Sequence, residues 1–142
     1  MPSKSKVCFF FEHNKFTLKN RSVLKSFIES LFKKEKRKLG SINYIFCTDK
    51  RLLEINQQFL QHDFYTDVIS FDLSESNTII AEVYISIDRV KENAMNLGSP
   101  FKRELYRVIF HGALHLCGFE DKTAKQVKQI REKEGFYISR LP

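Results

Sequence analysis

The segment His111–Asp121, with the sequence HGALHLCGFED, holds two histidines four residues apart. Positions i and i+4 of an α-helix lie on the same face, so the imidazoles of His111 and His115 can reach one ion. Gly118 stands where such a helix would end, because glycine adopts the left-handed conformation that follows many helices without a steric cost. The chain can then turn back and bring Asp121 to the same ion. The segment predicts a metal site of His111, His115 and Asp121, on a helix that is followed by a glycine turn.

The spacing H-x3-H-x2-G-x2-D is similar to that of metzincin zinc sites. Three protein ligands with an open position are typical of catalytic zinc, whereas structural zinc sites have four. We therefore expect one Zn²⁺ per chain, with Mn²⁺ or another divalent ion as the alternative. Zinc peptidases place a glutamate directly after the first histidine as general base, and Gly112 at that position argues against a peptidase. A chance pairing of the two histidines is the alternative to any metal.

Length and composition predict one globular domain. The chain has 142 residues, and its 42% hydrophobic content with 14 phenylalanines is enough for a core. No stretch approaches the roughly 20 apolar residues that cross a bilayer, and Val7–Phe11 is too short for a signal-peptide core. The three cysteines form no C-x-x-C pair, so reduced thiols are expected. We expect a cytoplasmic protein with no membrane partner, and no pattern indicates its oligomeric state.

The formal net charge of +7 at pH 7 comes largely from two basic clusters. They are Lys33, Lys34, Lys36, Arg37 and Lys38, and Lys122, Lys125, Lys128, Arg131 and Lys133. A basic protein of this size often binds a polyanion, because neutralised phosphates release counterions. Such clusters are about as often the solvated faces of helices. Charge therefore suggests a nucleic acid without establishing one.

Residue patterns predict a single α+β domain over residues 1–142, with about four strands and four to five helices. The predicted strands, rich in β-branched and aromatic residues, are Val7–Glu12, Ser41–Thr48, Asp67–Asp72 and Thr78–Ser86. The last two are separated by a short polar turn, which favours an antiparallel pair.

Five helix starts are predicted from capping residues. The first helix follows Asn20 and is expected to stop at Gly40. The later ones are expected to begin at Asp49, at Asp88 (ending near Gly98), at Ser99-Pro100 and at the capping box Thr123-x-x-Gln126.

Three segments upstream of the histidines carry further patterns. Thr66–Phe71 has the sequence TDVISF, Ala81–Ser86 has AEVYIS, and Asn56 and Phe59 are spaced as N-x-x-F. Together with His111–Asp121 they resemble, in order, motifs of the YbeY family of bacterial metal-dependent endoribonucleases. The family motifs are N-x-x-[YF]-R, T-D-V-L-S-F, G-D-I-x-I and H-G-x-L-H-L-x-G-[YF]-D-H. The resemblance covers the chain from Asn56 to Asp121, and the last motif is the most specific.

This resemblance implies a mixed β-sheet packed with helices, and a zinc-type metal in a cleft with basic residues on its rim. The implied activity is single-strand-specific endoribonuclease in ribosomal RNA processing, including 16S rRNA 3′ end maturation, and in ribosome quality control. The implied partners are ribosomal RNA and components of the small ribosomal subunit. Glu82 and Asp67, the carboxylates on the two matching strands, are the candidates for orienting or deprotonating the nucleophile. The candidates for RNA binding are Lys33, Lys34, Lys36, Arg37, Lys38, Arg89 and Arg103.

The third ligand departs from the family pattern. The family usually has histidine where this chain has Asp121, and aspartate where it has Glu120. A carboxylate is a regular zinc ligand, and it makes a site more favourable for oxygen-preferring metals such as Mn²⁺. Asp121 is therefore the expected ligand, with Glu120 as the reserve candidate.

The family arginine that follows N-x-x-[YF] corresponds here to Leu60, which cannot bind a phosphate. Either another cation, such as Arg51, Arg89, Arg103 or Arg107, has its role, or the activity differs. Two rivals to RNA cleavage therefore stay open. One is a non-catalytic ribosome-associated metalloprotein, and the other is a metal-dependent hydrolase of another substrate.

Overall fold

Four strands and five helices make up the computed structural model, which describes residues 5–13, 15–61 and 65–142. The strands are β1 (Val7–Phe11), β2 (Lys38–Cys47), β3 (Val68–Asp72) and β4 (Thr78–Ser86). The helices are α1 (Arg21–Lys34), α2 (Asp49–Leu60), α3 (Ile87–Leu97), α4 (Phe101–Leu116) and α5 (Ala124–Arg140). The predicted α+β class is confirmed.

The strands form one mixed sheet in the order β1-β2-β4-β3. β2 pairs in parallel with both β1 and β4, whereas β3 pairs antiparallel to β4. The parallel pairs need long crossover connections, which the helices provide. The antiparallel pairing predicted from the short polar turn between β3 and β4 is confirmed.

Helices cover both faces of this sheet. Side chains alternate along β4, so Ala81, Val83 and Ile85 join the main core with α4, whereas Tyr84 packs on the opposite face beside residues of α2. α4 approaches the sheet closely at Gly112, where an added Cβ would lie 2.7 Å from the Cγ1 of Val83. A side chain at this position would collide with β4. Packing therefore explains why glycine, and not a catalytic glutamate, follows the first histidine.

The predicted end of the first helix at Gly40 is wrong. α1 ends at Lys34, because Lys36 adopts a left-handed conformation (φ 60°) and the backbone N–H of Arg37 bonds back to the carbonyl of Phe32 at 2.9 Å. These bonds close the helix and reverse the chain, so that Lys38 already pairs with β4. The cluster of Lys33, Lys34, Lys36, Arg37 and Lys38 thus lies at the turn between α1 and β2.

Smaller corrections concern the caps. Thr48 and Ser86, not the aspartates that follow closely, cap α2 and α3 with their hydroxyl oxygens. α4 begins at Phe101 after Pro100, one residue later than predicted. Gly98 ends α3 with positive φ, and the predicted capping box at Thr123 and Gln126 is confirmed.

Two expectations from composition can be compared with the structure. Cys8, Cys47 and Cys117 are free, as predicted. Burial raises the pKa of the Cys47 and Cys117 thiols to about 12, so both are neutral near pH 7. Across the described ranges, no helix is long and apolar enough to cross a membrane.

Candidate metal centre

Three side chains converge at the end of α4. The Nε2 atoms of His111 and His115 lie 2.9 Å apart, as expected for positions i and i+4 on one helix face. Asp121 Oδ2 lies 3.3 Å from the first nitrogen and 3.4 Å from the second. Gly118 has φ 101°, which lets the chain turn after the helix and return Asp121 to the histidines. The three residues therefore form a group that could hold a metal ion.

Each imidazole is oriented by a hydrogen bond on its other nitrogen. His111 Nδ1 lies 2.5 Å from Glu134 Oε2, and His115 Nδ1 lies 2.8 Å from the carbonyl oxygen of Phe119. Both acceptors require a proton on Nδ1, so in the neutral imidazoles the lone pair of each Nε2 is directed at the space beside Asp121. Hydrogen bonds of this kind to a carboxylate or a backbone carbonyl are typical of histidines that bind metals.

The geometry and chemistry of the three donors fit a divalent ion. A tetrahedral ion with ligands at roughly 2.0–2.1 Å keeps neighbouring ligand atoms about 3.3 Å apart, and the three distances scatter around that value. Two nitrogen lone pairs and a carboxylate oxygen also repel one another, and a cation between them removes that repulsion. Two imidazoles and one carboxylate are a known ligand set of catalytic zinc. Glu120 is not part of this group, and its Oε2 lies 4.0 Å from the ammonium of Lys122.

Glu134 is a candidate site residue that the sequence alone did not indicate. Its side chain is only 1% exposed, although it is a carboxylate on a mostly polar helix. Burial alone would raise its pKa, but the hydrogen bond from His111 and the charges of Arg107 and Arg131 hold the pKa below its ordinary value. The available signal was its position on α5, between the core residues Ile130 and Tyr137 on the buried face.

Arg107 joins Glu134 to two other carboxylates. Its guanidinium makes two 2.8 Å bonds to Glu104, and further bonds of 3.2 Å to Glu134 and 3.4 Å to Asp67. Burial alone would lower the pKa of Arg107, but these bonds and charges raise it above its ordinary value. Arg107 therefore offsets part of the negative charge of the three acids beside the candidate metal centre.

A cleft of about 660 Å³ opens at the two histidines. It is bordered by α4, by the segment Thr66–Ser70, by Asn56 and Leu60 of α2, and by the segment Glu120–Lys122. Lys122 is the single cation in this lining, among the residues that the structure describes. An extended polar substrate could thus lie across the metal centre.

Comparison with known proteins identifies the family. A family model described as Endoribonuclease YbeY matches residues 9–142. The chain belongs to the YbeY family. This match extends the resemblance, which covered residues from Asn56 to Asp121, to nearly the whole chain.

Relatives and a solved structure agree with this assignment. The chain is 45% identical over 138 residues to a protein of Cytophaga hutchinsonii named Endoribonuclease YbeY, with 96% of both chains covered. It is 47% identical over 119 residues to a protein of the same name from Flavobacterium psychrophilum, covering 84% of this chain and 85% of the relative. It is also similar to a solution structure from Thermotoga maritima, with a TM-score of 0.65, 30% identity, and coverage of 95% and 88%. The predicted family and the predicted nuclease class are confirmed.

The structure separates the two carboxylates that the YbeY resemblance indicated as catalytic. Asp67 lines the cleft, where its Oδ2 accepts bonds from Asn93 and Arg107. Glu82 does not line it: it alternates with Ala81 and Val83, which face α4, and so lies on the opposite side of the sheet. The position of Glu82 therefore gives no support to a catalytic role.

Leu60 lies in the cleft, where the YbeY pattern places an arginine. The arginines considered as replacements do not line the cleft. Arg107 is occupied by the buried acids, Arg89 is bonded to Asp49 at 2.7 Å, and Arg51 lies near two glutamates. Arg103 is exposed on α4. The chain thus has no replacement arginine in the described lining of its cleft.

The residues predicted to bind RNA do not form one continuous patch. Lys33, Arg37 and Lys38 line a pocket at the turn between α1 and β2. Lys34 lies over the ring of Phe136 at 4.6 Å, and Lys36 is the left-handed turn residue. The predicted patch is therefore two groups with different neighbours.

Proposed function

We propose that this member of the YbeY family is a metal-dependent endoribonuclease that cuts single-stranded RNA at the cleft of His111, His115 and Asp121. Its proposed role is ribosomal RNA processing, including 16S rRNA 3′ end maturation, and ribosome quality control. The proposed partners are ribosomal RNA and small-subunit components, and the proposed location is the cytoplasm. The proposed metal is Zn²⁺, with Mn²⁺ as the alternative.

The observation that carries this proposal is the orientation of the two imidazoles. Glu134 and the carbonyl of Phe119 each bond to an Nδ1, so both Nε2 lone pairs face the Asp121 carboxylate where an open cleft gives access to them. Imidazoles that are oriented in this way before binding are suited to hold a cation together with the carboxylate. Names of relatives support RNA as the substrate, since the matched proteins are called Endoribonuclease YbeY.

When bound, a divalent ion supplies a Lewis acid for phosphoryl oxygens and lowers the pKa of water. The residues of the chain orient the reactants. Asp67 presents a carboxylate to the cleft, and Arg107 and Asn93 fix its direction, which suits it to orient a water. Lys122, which also lines the cleft, is 83% exposed and suited to contact a phosphate of the bound strand.

The rival function, a metalloprotein that binds ribosomal components without cutting RNA, is favoured by one observation. Leu60 removes the cation that the family pattern places in the cleft, and Lys122 is the only cation in the described lining. The rival and the proposal differ in whether metal-loaded protein cleaves RNA.

The decisive test is a cleavage assay on single-stranded RNA with purified, metal-loaded protein. We expect cleavage that stops with a chelator and returns when Zn²⁺ or Mn²⁺ is added in excess. The control is His111→Ala, which should stay inactive after metal addition. RNA that is bound but never cut by metal-loaded protein would establish the non-catalytic rival.

A further inference from the structure

A second pocket, separate from the metal cleft, lies at the turn between α1 and β2. Four cations line it: Lys6, Lys33, Arg37 and Lys38. Glu29 is the one carboxylate in the described lining, so the four cations remain in excess. None of the four makes an ion pair within the described part of the chain, in contrast to Arg107 and Arg89.

We propose that this pocket, hereafter the basic pocket, binds the phosphate backbone of the RNA strand that the metal cleft acts on. The proposal rests on the proposed function for the identity of the strand. Lys6, Lys33, Arg37 and Lys38 contact the backbone in this proposal, and Lys34 and Lys36 do not.

The fold explains why these four residues meet. β1 and β2 are parallel, with Val7 beside Ile42, and the carbonyl of Lys6 accepts a bond from the backbone N–H of Ile42. The turn that closes α1 then places Lys33 of the helix next to Arg37 and Lys38. Residues from three separate parts of the chain therefore bring positive charge to one place.

The dipole of α1 explains only part of the positive charge at this pocket. Cations in the last turn of a helix interact favourably with its dipole, which accounts for Lys33 and Lys34 at the end of α1. Lys38 begins β2 and Lys6 precedes β1, so the helix dipole does not account for them. A phosphate in the pocket would interact with all four cations.

Arg37 connects the basic pocket to the metal centre. Its Nη2 would lie 3.1 Å from a Cβ added to Gly118, the glycine of the turn between His115 and Asp121. The guanidinium therefore lies against the segment that carries the third ligand. The proposed path of the strand therefore runs from the cleft over this turn to Arg37 and on to the lysines of the pocket.

The test compares two double variants with the same charge change in the same cluster. Lys33→Gln/Lys38→Gln removes two lysines of the pocket, and Lys34→Gln/Lys36→Gln removes two that do not line it. Binding of a fluorescent single-stranded RNA 12-mer is measured against salt concentration, in chelator so that no cleavage interferes. Thermal denaturation checks that each variant is folded, and Lys6→Gln/Arg37→Gln is the second pocket variant.

Each phosphate contact with single-stranded RNA contributes roughly −0.7 to the slope of log K against log salt. The pocket variants should therefore flatten the slope by about 1.4, whereas Lys34→Gln/Lys36→Gln should change it by much less. Equal flattening in all variants would show diffuse attraction, and no flattening would show no contact; either overturns the proposal. If RNA binding by the wild type and the variants depends on salt as expected but the wild type never cleaves RNA, the proposed function is rejected and the proposal for the basic pocket stands.

Discussion

The metal cleft and the basic pocket differ in whether their charged side chains are paired, among the residues that the structure describes. Around the cleft, Arg107 is enclosed by Glu104, Glu134 and Asp67, and Lys122 is the only cation in the described lining. In the basic pocket, four cations face one carboxylate and make no ion pair within the described residues.

The groups that orient the candidate metal ligands and the cations expected to attract RNA therefore lie in different parts of the molecule. Buried ion pairs fix the imidazole of His111 but leave little positive charge to attract a phosphate. Exposed, unpaired cations attract phosphates over a distance set by salt but have no fixed direction. We therefore expect variants in the cleft to change metal binding and cleavage, and variants in the basic pocket to change RNA affinity.

The largest effect is expected for His111→Ala and His115→Ala. Each removes one of three donors, so stoichiometric metal should be lost and cleavage should fall by more than about 100-fold, beyond the range typical of outer-shell changes. RNA affinity should stay within about twofold, because the metal meets one phosphate among several. Elemental analysis, cleavage and binding assays measure the three quantities. His13→Ala, outside the cleft, should keep its metal; metal retained in both cleft variants would place the site elsewhere.

A smaller loss should separate Asp121 from Glu120. Asp121→Ala should weaken metal binding, because its carboxylate lies 3.3–3.4 Å from both imidazole nitrogens, whereas Glu120→Ala should leave it unchanged. Asp121→His should restore the site and shift its preference toward Zn²⁺ over Mn²⁺, since imidazole is the softer ligand. Metal titration of chelator-treated protein gives the affinities. If Glu120→Ala weakened metal binding and Asp121→Ala did not, Glu120 would be the third ligand.

Glu134→Gln tests the buried part of the cleft. The amide keeps the size of the side chain but removes the charge that pairs with His111 and Arg107. Metal affinity should fall by about tenfold, at the low end of the 10–100-fold typical of such partners. Glu132→Gln is the matched control, because Glu132 is exposed on the same helix. Equal metal affinities in the two variants would remove Glu134 from the metal centre.

The smallest effect is expected from adding a cation to the cleft. Leu60→Arg should leave metal content unchanged and steepen the salt dependence of RNA binding by roughly one contact, a slope change of about −0.7. Cleavage should rise, because the cleft would hold the strand at the reacting phosphate. Leu97→Arg is the matched control on an exposed position outside the cleft. A similar gain in the control would show that the added charge acts without regard to place.

The sequence was sufficient for features that depend on neighbours along the chain. The helix of His111 and His115, the glycine turn and the return of Asp121 follow from spacing and from the conformational freedom of Gly118. The β3–β4 pairing likewise follows from a short turn.

The features that were missed depend on residues far apart in the chain. Glu134 reaches His111 only because α5 packs on α4, 23 residues later in the chain. The side of the sheet that Glu82 faces was not visible until the neighbours of β4 were known. The predicted helix end at Gly40 was wrong because Lys36 adopts a positive φ that its residue type does not favour.

The central claim is that two imidazoles and the Asp121 carboxylate bind one metal ion. X-ray absorption at the zinc edge of the Zn²⁺-loaded protein tests it most directly. We expect nitrogen and oxygen ligands only, at about 2.0–2.2 Å, with the imidazole signal of two histidines. Asp121→Ala should keep that imidazole signal with lower occupancy. A sulfur ligand at about 2.3 Å, or a spectrum unchanged in His111→Ala, would contradict the claim.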